Sequence, residues 1–172
     1  SVLNQRDDFN KIVSNLPYQV AEPLFHYLCT SRNVALTILT VPLKFAKNVP
    51  NNSVFSAFLK VDILEEVGRD CFEPQPKITS ALIKVTKNLE DSDELFIRRK
   101  LYLQKEKKLM NGLRDTLIDY YKLKNKTLTK KQAVSILDNF KIEEKWLDSL
   151  IKLMPLQLYS DITKKVMESI QL

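Results

Sequence analysis

The chain has 172 residues, 44% of them hydrophobic, and a formal net charge of +6. That length supports one sizeable core or two small ones, and no apolar run approaches the ~20 residues that a membrane span requires. The two cysteines, Cys29 and Cys71, lie in no metal-ligand spacing; reduced thiols, a cytoplasmic protein and no metal site are the expectation.

Taken in chain order, Ile12 and Val13 read as a short buried strand. It runs into Asn15-Leu16-Pro17-Tyr18, where Pro17 lacks a backbone donor and biases Leu16 toward an extended backbone. Asn15 brings an amide oxygen as an acceptor. The Leu-Pro peptide has no N–H, so the Leu16 carbonyl is free to accept as well. Two acceptors on a stiff loop can grip an amino group. Tyr18 supplies a flat ring on which a base can stack, worth ~1–3 kcal/mol per base. The same four residues can also be a strand-end turn around a buried tyrosine.

Residues 22–28 are predicted helical and contain His26, the chain's one histidine, read as a surface or packing residue. Residues 34–41 form a β-branched, buried strand that Pro42 ends, followed by a short helix over 43–47 and a turn-rich loop over 48–53. A long strand is expected near 56–64. A connection over 68–76, which holds Phe72, leads to a final strand over 78–85, antiparallel to it. Residues 88–93 are polar and acidic, a natural linker between a first domain at 1–90 and a second at 91–172.

The second half is predicted to be a bundle of four or five helices. Leu101, Leu109, Leu113 and Leu117 recur at multiples of four, a core-facing stripe. Thr129 and Gln132 make a capping box. Trp146, Leu147, Leu150 and Ile151 mark a further helix ended by Pro155, and Ser160 is placed to cap the last one, with Ile162, Val166 and Ile170 inward. Charge is uneven. Residues 1–91 carry ten Lys/Arg and ten Asp/Glu, whereas 92–172 carry seventeen and eleven. All six positive charges therefore fall in the helical half, which points to a polyanionic partner or, alternatively, to Lys-rich solvated helices. One cluster is Arg98, Arg99, Lys100, Lys105, Lys107 and Lys108; a second is Lys122, Lys124, Lys126, Lys130 and Lys131.

Two segments carry a family resemblance. Asn15-Leu16-Pro17-Tyr18 after an apolar strand resembles the active-site loop of the KsgA-type rRNA adenine dimethyltransferases. The stretch Phe72-Glu73-Pro74-Gln75-Pro76-Lys77, leading into the last strand, resembles that family's later signature, in the same order and at about the same spacing. The resemblance implies a partial Rossmann-like α/β methyltransferase sheet, mixed with its last strands antiparallel, followed by an all-α domain. It further implies methyl transfer from S-adenosylmethionine to two adjacent adenosines of small-subunit rRNA, in ribosome biogenesis. Asn15, Leu16, Pro17, Tyr18 and Phe72 would be catalytic, with Asn15 also near the cofactor. Arg98, Arg99, Lys100, Lys105, Lys107 and Lys108 would meet RNA, and the pre-ribosomal small subunit would be the partner.

The family's Gly-rich cofactor turn and the acidic residue beyond it are not in this sequence, whose glycines are Gly68 and Gly112. The chain is therefore expected to be a carboxy-terminal portion, inactive by itself, that binds the cofactor weakly or not at all. The uncovered sheet edge beside 12–14 is expected to promote self-association. Two other readings use the same residues: a non-catalytic rRNA-binding or ribosome-assembly module, and a large-subunit rRNA adenine methylase of the antibiotic-resistance type.

Overall fold

The computed structural model describes residues 9–170. They form two units, which divide between Leu89 and Glu90.

In the first unit, β1 (Lys11–Asn15), α1 (Ala21–Thr30) and β2 (Leu36–Pro42) form a β-α-β crossover with the two strands parallel. Two short helices, α2 (Leu43–Asn48) and α3 (Phe55–Phe58), precede β3 (Leu59–Val67) and β4 (Ser80–Lys87). The strand order is β1-β2-β4-β3, with β4 antiparallel to both neighbours. The result is the mixed sheet with an antiparallel last pair that the sequence implies. Alternate residues of β2 and β4 pair across the ladder on one covered face: Thr37 with Val85, Leu39 with Ile83 and Val41 with Ala81, all buried. Phe25, fully buried on α1, packs its ring against Phe45 at 5.0 Å and Phe55 at 5.4 Å. At the far end of β4, the Lys87 ammonium donates to the carbonyls of Leu28 and Ser31, where α1 ends. A cation there meets the negative end of the helix dipole. Burial pushes the Lys87 pKa below the ordinary lysine value.

One expectation needs correcting in this unit. The strand predicted over 56–64 begins only at Leu59, because Phe55–Phe58 is a helical turn. The Asn52 side-chain oxygen accepts from the backbone N–H of Val54 and of Phe55, both at 3.0 Å, and the Ser56 hydroxyl donates to the Asn52 carbonyl. This capping satisfies the orphan donors of a helix start and outweighs the β-propensity of Phe55 and Phe58. A bulge between Ile63 and Glu65 then shifts the register of β3 against β4.

The second unit holds α4 (Asp93–Leu103), α5 (Leu109–Leu123), α6 (Lys130–Asp138), the short α7 (Glu144–Leu147) and α8 (Leu156–Ile170). Leu101, Leu109, Leu113 and Leu117 are all fully buried, although the stripe is divided between α4 and α5. The capping box is present: Gln132 N–H donates to the Thr129 hydroxyl, and the Gln132 side chain accepts from Thr129 N–H at 2.9 Å.

Two helix boundaries differ from the sequence reading. Leu150 is not helical but bridges Lys108 in antiparallel fashion, with Leu109 N–H donating to Ser149 and Ile151 N–H to Lys107. The 107–109 backbone thus takes the groups that a continuing helix would have paired internally. Ser160 lies inside α8 rather than at its start, since that helix begins directly after Pro155.

A small polar cluster ties α4 to α5. The Tyr120 hydroxyl donates to Asp93 at 2.7 Å, and Lys124 pairs with the same carboxylate at 2.8 Å. Burial first, then the adjacent Asp93, pushes the Tyr120 pKa up from its ordinary 10 to about 12. Hydrogen bonds from Lys124 and then Tyr120 hold Asp93 below the usual carboxylate range. A group whose pKa rises on folding stabilises fully below its unfolded value. The Tyr120 contribution is therefore intact below pH 10 and fades between pH 10 and about 12. In an alkaline absorbance titration at 295 nm, Tyr120 is expected to ionise at about pH 12, and Asp93→Asn is expected to bring it down. Coincident titration of every tyrosine in the native protein would refute this.

Candidate functional site

Asn15 is the last residue of β1, paired in register with Thr40 of β2. Beyond Leu16, Pro17 holds φ −54° and ψ 131°, and Tyr18 opens a 3-10 turn over Tyr18–Val20 that leads directly into α1. The Pro17 carbonyl is consumed by that turn, accepting from Val20 N–H at 2.9 Å. The loop therefore ends in a fixed corner.

The Tyr18 hydroxyl meets the Ser80 hydroxyl at 2.6 Å. Ser80 is the first residue of β4 and is 0% exposed. This bond fixes the tilt of the Tyr18 ring against the sheet. The connection over 68–76 returns to the same place. A 3-10 turn at Arg69–Cys71 positions Phe72, and Pro74 and Pro76 stiffen the backbone between that ring and β4. Asn15, Leu16, Pro17, Tyr18, Phe72, Pro74 and Pro76 together line one cavity of about 300 Å³. That is the lower end of the range of ligand pockets. Two aromatic rings, a side-chain amide and an N–H-free peptide thus converge on one small space. Among the described residues there is no His/Cys/Asp/Glu cluster able to hold a metal.

All five residues predicted for this site come together. Ser80 was missed by the sequence reading, which saw only a residue entering a strand. Ser80→Ala removes the partner of Tyr18 and leaves its half-buried hydroxyl without that bond, at a cost of about 1 kcal/mol. The expected outcome is a Tyr18 ring no longer held at one tilt, read as a shift of the Tyr18 ring resonances by NMR. Unchanged resonances would show that the bond does not set the ring.

The first basic cluster is spread along α4 and the 104–108 turn, and its charges are largely matched. Arg98 meets Glu94 at 2.6 Å, Lys100 meets Asp119 at 2.9 Å, and Lys107 and Lys108 meet Asp115 and Asp148, each at 2.8 Å. Arg99 donates to the Glu90 carbonyl at 3.1 Å, and Lys105 lies 5.3 Å from the centroid of the Tyr102 ring. In the second cluster, Lys124 is held by Asp93, while Lys122, Lys126, Lys130 and Lys131 are exposed.

A mixed sheet with an Asn-Leu-Pro-Tyr corner at the end of a parallel strand, facing a Phe-bearing proline loop, resembles the arrangement of the amino-group methyltransferases. The family model for ribosomal RNA adenine dimethylase matches residues 3–155. A probable ribosomal RNA small subunit methyltransferase A from Thermococcus sibiricus is 36% identical over 86 residues, covering 44% of this chain and 31% of that protein. The corresponding protein of Methanococcus vannielii is 26% identical over 164 residues, covering 86% of this chain and 58% of its own length. A crystal structure of a dimethyladenosine transferase from Plasmodium falciparum aligns over 94% of this chain and 68% of that chain, with a TM-score of 0.47 and 18% identity. The chain belongs to the ribosomal RNA adenine dimethylase family. It spans about a third to just under three-fifths of the length of these two curated relatives.

Proposed function

We propose that this chain presents adenosine of small-subunit rRNA for methylation at its exocyclic nitrogen, twice on each of two adjacent nucleotides, with S-adenosylmethionine as methyl donor. The observation that carries the reading is the meeting of Asn15, Leu16, Tyr18 and Phe72 around one cavity. An adenine flipped out of its stack would lie between the rings of Tyr18 and Phe72. Its amino group would donate to the Asn15 amide oxygen and the Leu16 carbonyl. The adenine amine is a poor nucleophile because its lone pair is delocalised into the ring. Two acceptors placed out of the ring plane favour a pyramidal nitrogen and stabilise the positive charge that grows on it. No side chain with a strongly shifted pKa is required for that.

The donor, when bound, supplies an electrophilic methyl group. The described residues suit the acceptor base better than the body of the donor. Neither glycine forms an open cradle: a Cβ on Gly68 would meet the Asp70 carboxylate at 2.3 Å, and one on Gly112 would meet Ile151 at 2.3 Å. Asn15, at the end of β1, would border the place where the donor's methyl arrives. Calorimetry on this chain is expected to show weak donor binding or none, and submicromolar affinity would count against it. The function itself is tested by joining the chain to the Gly-rich donor-binding half of a family member, treating small-subunit RNA with the product and labelled donor, and looking for N6,N6-dimethyladenosine by mass spectrometry; its absence when the donor is bound would refute the reading.

In this reading the first unit is the catalytic portion and the helical unit faces the RNA through Arg98, Arg99, Lys100, Lys105, Lys107 and Lys108. Their carboxylate partners do not argue against it. The exposed pairs of Lys100, Lys107 and Lys108 are worth about 0–1 kcal/mol each, so phosphates can replace their carboxylate partners; the Arg98 side chain, only 17% exposed and held by Glu94, reaches RNA least readily of these. Such contacts supply affinity and register rather than sequence choice.

The sheet edge adds a proposal about assembly. β1 is the outer strand of the described sheet, and Val13 on it is 78% exposed. An apolar edge of this kind pairs with another strand. Sedimentation of the chain is expected to show concentration-dependent dimers that Val13→Lys disperses; a monomer at every concentration would exclude this.

A further inference from the structure

A second cavity, of about 550 Å³, lies at the same end of the sheet. Pro42, Phe45 and Ile78 supply its apolar walls, and Lys44, Asn48 and Thr79 its polar rim. Its position relative to the adenine cavity is fixed by one residue. Ser80 is the register partner of Pro42 across β2 and β4, and its hydroxyl holds Tyr18. The two cavities thus flank Ser80, one lined by its ladder partner and its chain neighbour Thr79, the other by its hydrogen-bond partner. Adjacent strands lie about 4.8 Å apart. One or two such spacings are within reach of a single sugar–phosphate link in a splayed RNA strand.

The wall chemistry fits a nucleobase. Phe45 is held edge-on to the buried Phe25, at 86° between ring planes, and is itself half-buried. Ile78 is 45% exposed, a large apolar side chain kept in water. Asn48 offers both a donor and an acceptor at the rim. Lys44 and Lys77 are exposed and enter no ion pair among the described residues. Lys47, one turn along, is taken by Glu66 at 2.9 Å. A planar apolar wall beside an uncommitted ammonium is the pairing by which single-stranded nucleic acid is gripped.

We propose that this cavity receives the base of the ribonucleotide next to the target adenosine on the same strand, stacked against Phe45 and Ile78, with the linking phosphate near Lys44. The proposal rests on the reading of the neighbouring cavity as the adenine site. It makes the site a two-nucleotide groove in which the neighbour's binding steadies the flipped base.

The test uses adenine-containing trinucleotides with the fluorescent base 2-aminopurine either at the target position or at one of the two flanking positions. Stacking quenches the probe. Quenching at a flanking position is expected in the native chain. Phe45→Leu and Ile78→Asp should each relieve it and weaken trinucleotide binding about tenfold, with binding of adenosine monophosphate unchanged. Ile78 is exposed enough that its substitution leaves the fold intact, so the test does not depend on Phe45 alone. If both variants keep native flanking quench and affinity while Tyr18→Ala still releases the target probe, the second cavity is no subsite and only the adenine reading survives. If neither probe is quenched, the adenine reading fails and the subsite with it. If Ile78→Asp alters sedimentation but not RNA binding, the cavity belongs to a protein contact and the proposal is overturned.

Discussion

Replacing Asn15 with Ala is expected to lower the rate of methyl transfer by about 10²–10³-fold, measured as labelled methyl incorporation by the chain joined to the Gly-rich donor-binding half of a family member, while RNA affinity changes little. The side chain stands at the exposed end of β1, where a truncation costs the fold little, so the loss falls on chemistry. Removing the amide oxygen takes away one of the two acceptors proposed to orient the amine and leaves the stacking rings untouched. Turnover should fall while the base still binds, the signature of an interaction that matters most in the transition state. Asn15→Asp keeps an acceptor and should retain more activity than Ala. Undiminished methylation by Asn15→Ala would remove the basis of the proposed function.

The second large effect concerns the helical unit. Leu113 lies in α5 between Leu109 and Leu117, all three fully buried. Next to it, Gly112 packs so closely that an added Cβ would stand 2.3 Å from Ile151 Cδ1. A site this tight collapses poorly around a missing side chain. Leu113→Ala is therefore expected to destabilise the unit by about 2–5 kcal/mol. Trp146, the chain's only tryptophan, lies in the same unit, so its fluorescence during urea unfolding reads the effect directly. An unchanged midpoint would mean that this stripe is not what holds the bundle.

How much of this was legible in the sequence depended on range. Asn15, Leu16, Pro17 and Tyr18 are contiguous, so their shared chemistry can be read from four letters, and the proline-rich segment around Phe72 announces itself in the same way. The Tyr18–Ser80 bond spans 62 positions, and a serine at the start of a strand carries no sign of its partner. The capping box at Thr129 was readable because both its members lie within one turn. Phe55–Phe58 was not, since the deciding residue is Asn52, whose side chain turns a β-prone stretch into a helical one. Charge was readable as a sum but not as pairs. Lys108 finds Asp148 forty positions away, and only the folded bundle shows which lysines already have company.

The fastening of α1 bears on how a base would enter. Just ahead of the helix, Tyr18 is tied to the first residue of β4; at its tail, the last carbonyls are tied to Lys87, the final residue of that same strand. The helix behaves as a beam bolted to one rail at two points. The corner proposed to grip the amine is therefore held through the helix at both ends. It stands assembled before any ligand arrives, and the Val20 amide, which donates to the Pro17 carbonyl, should exchange with solvent at the same slow rate with or without a nucleotide in place.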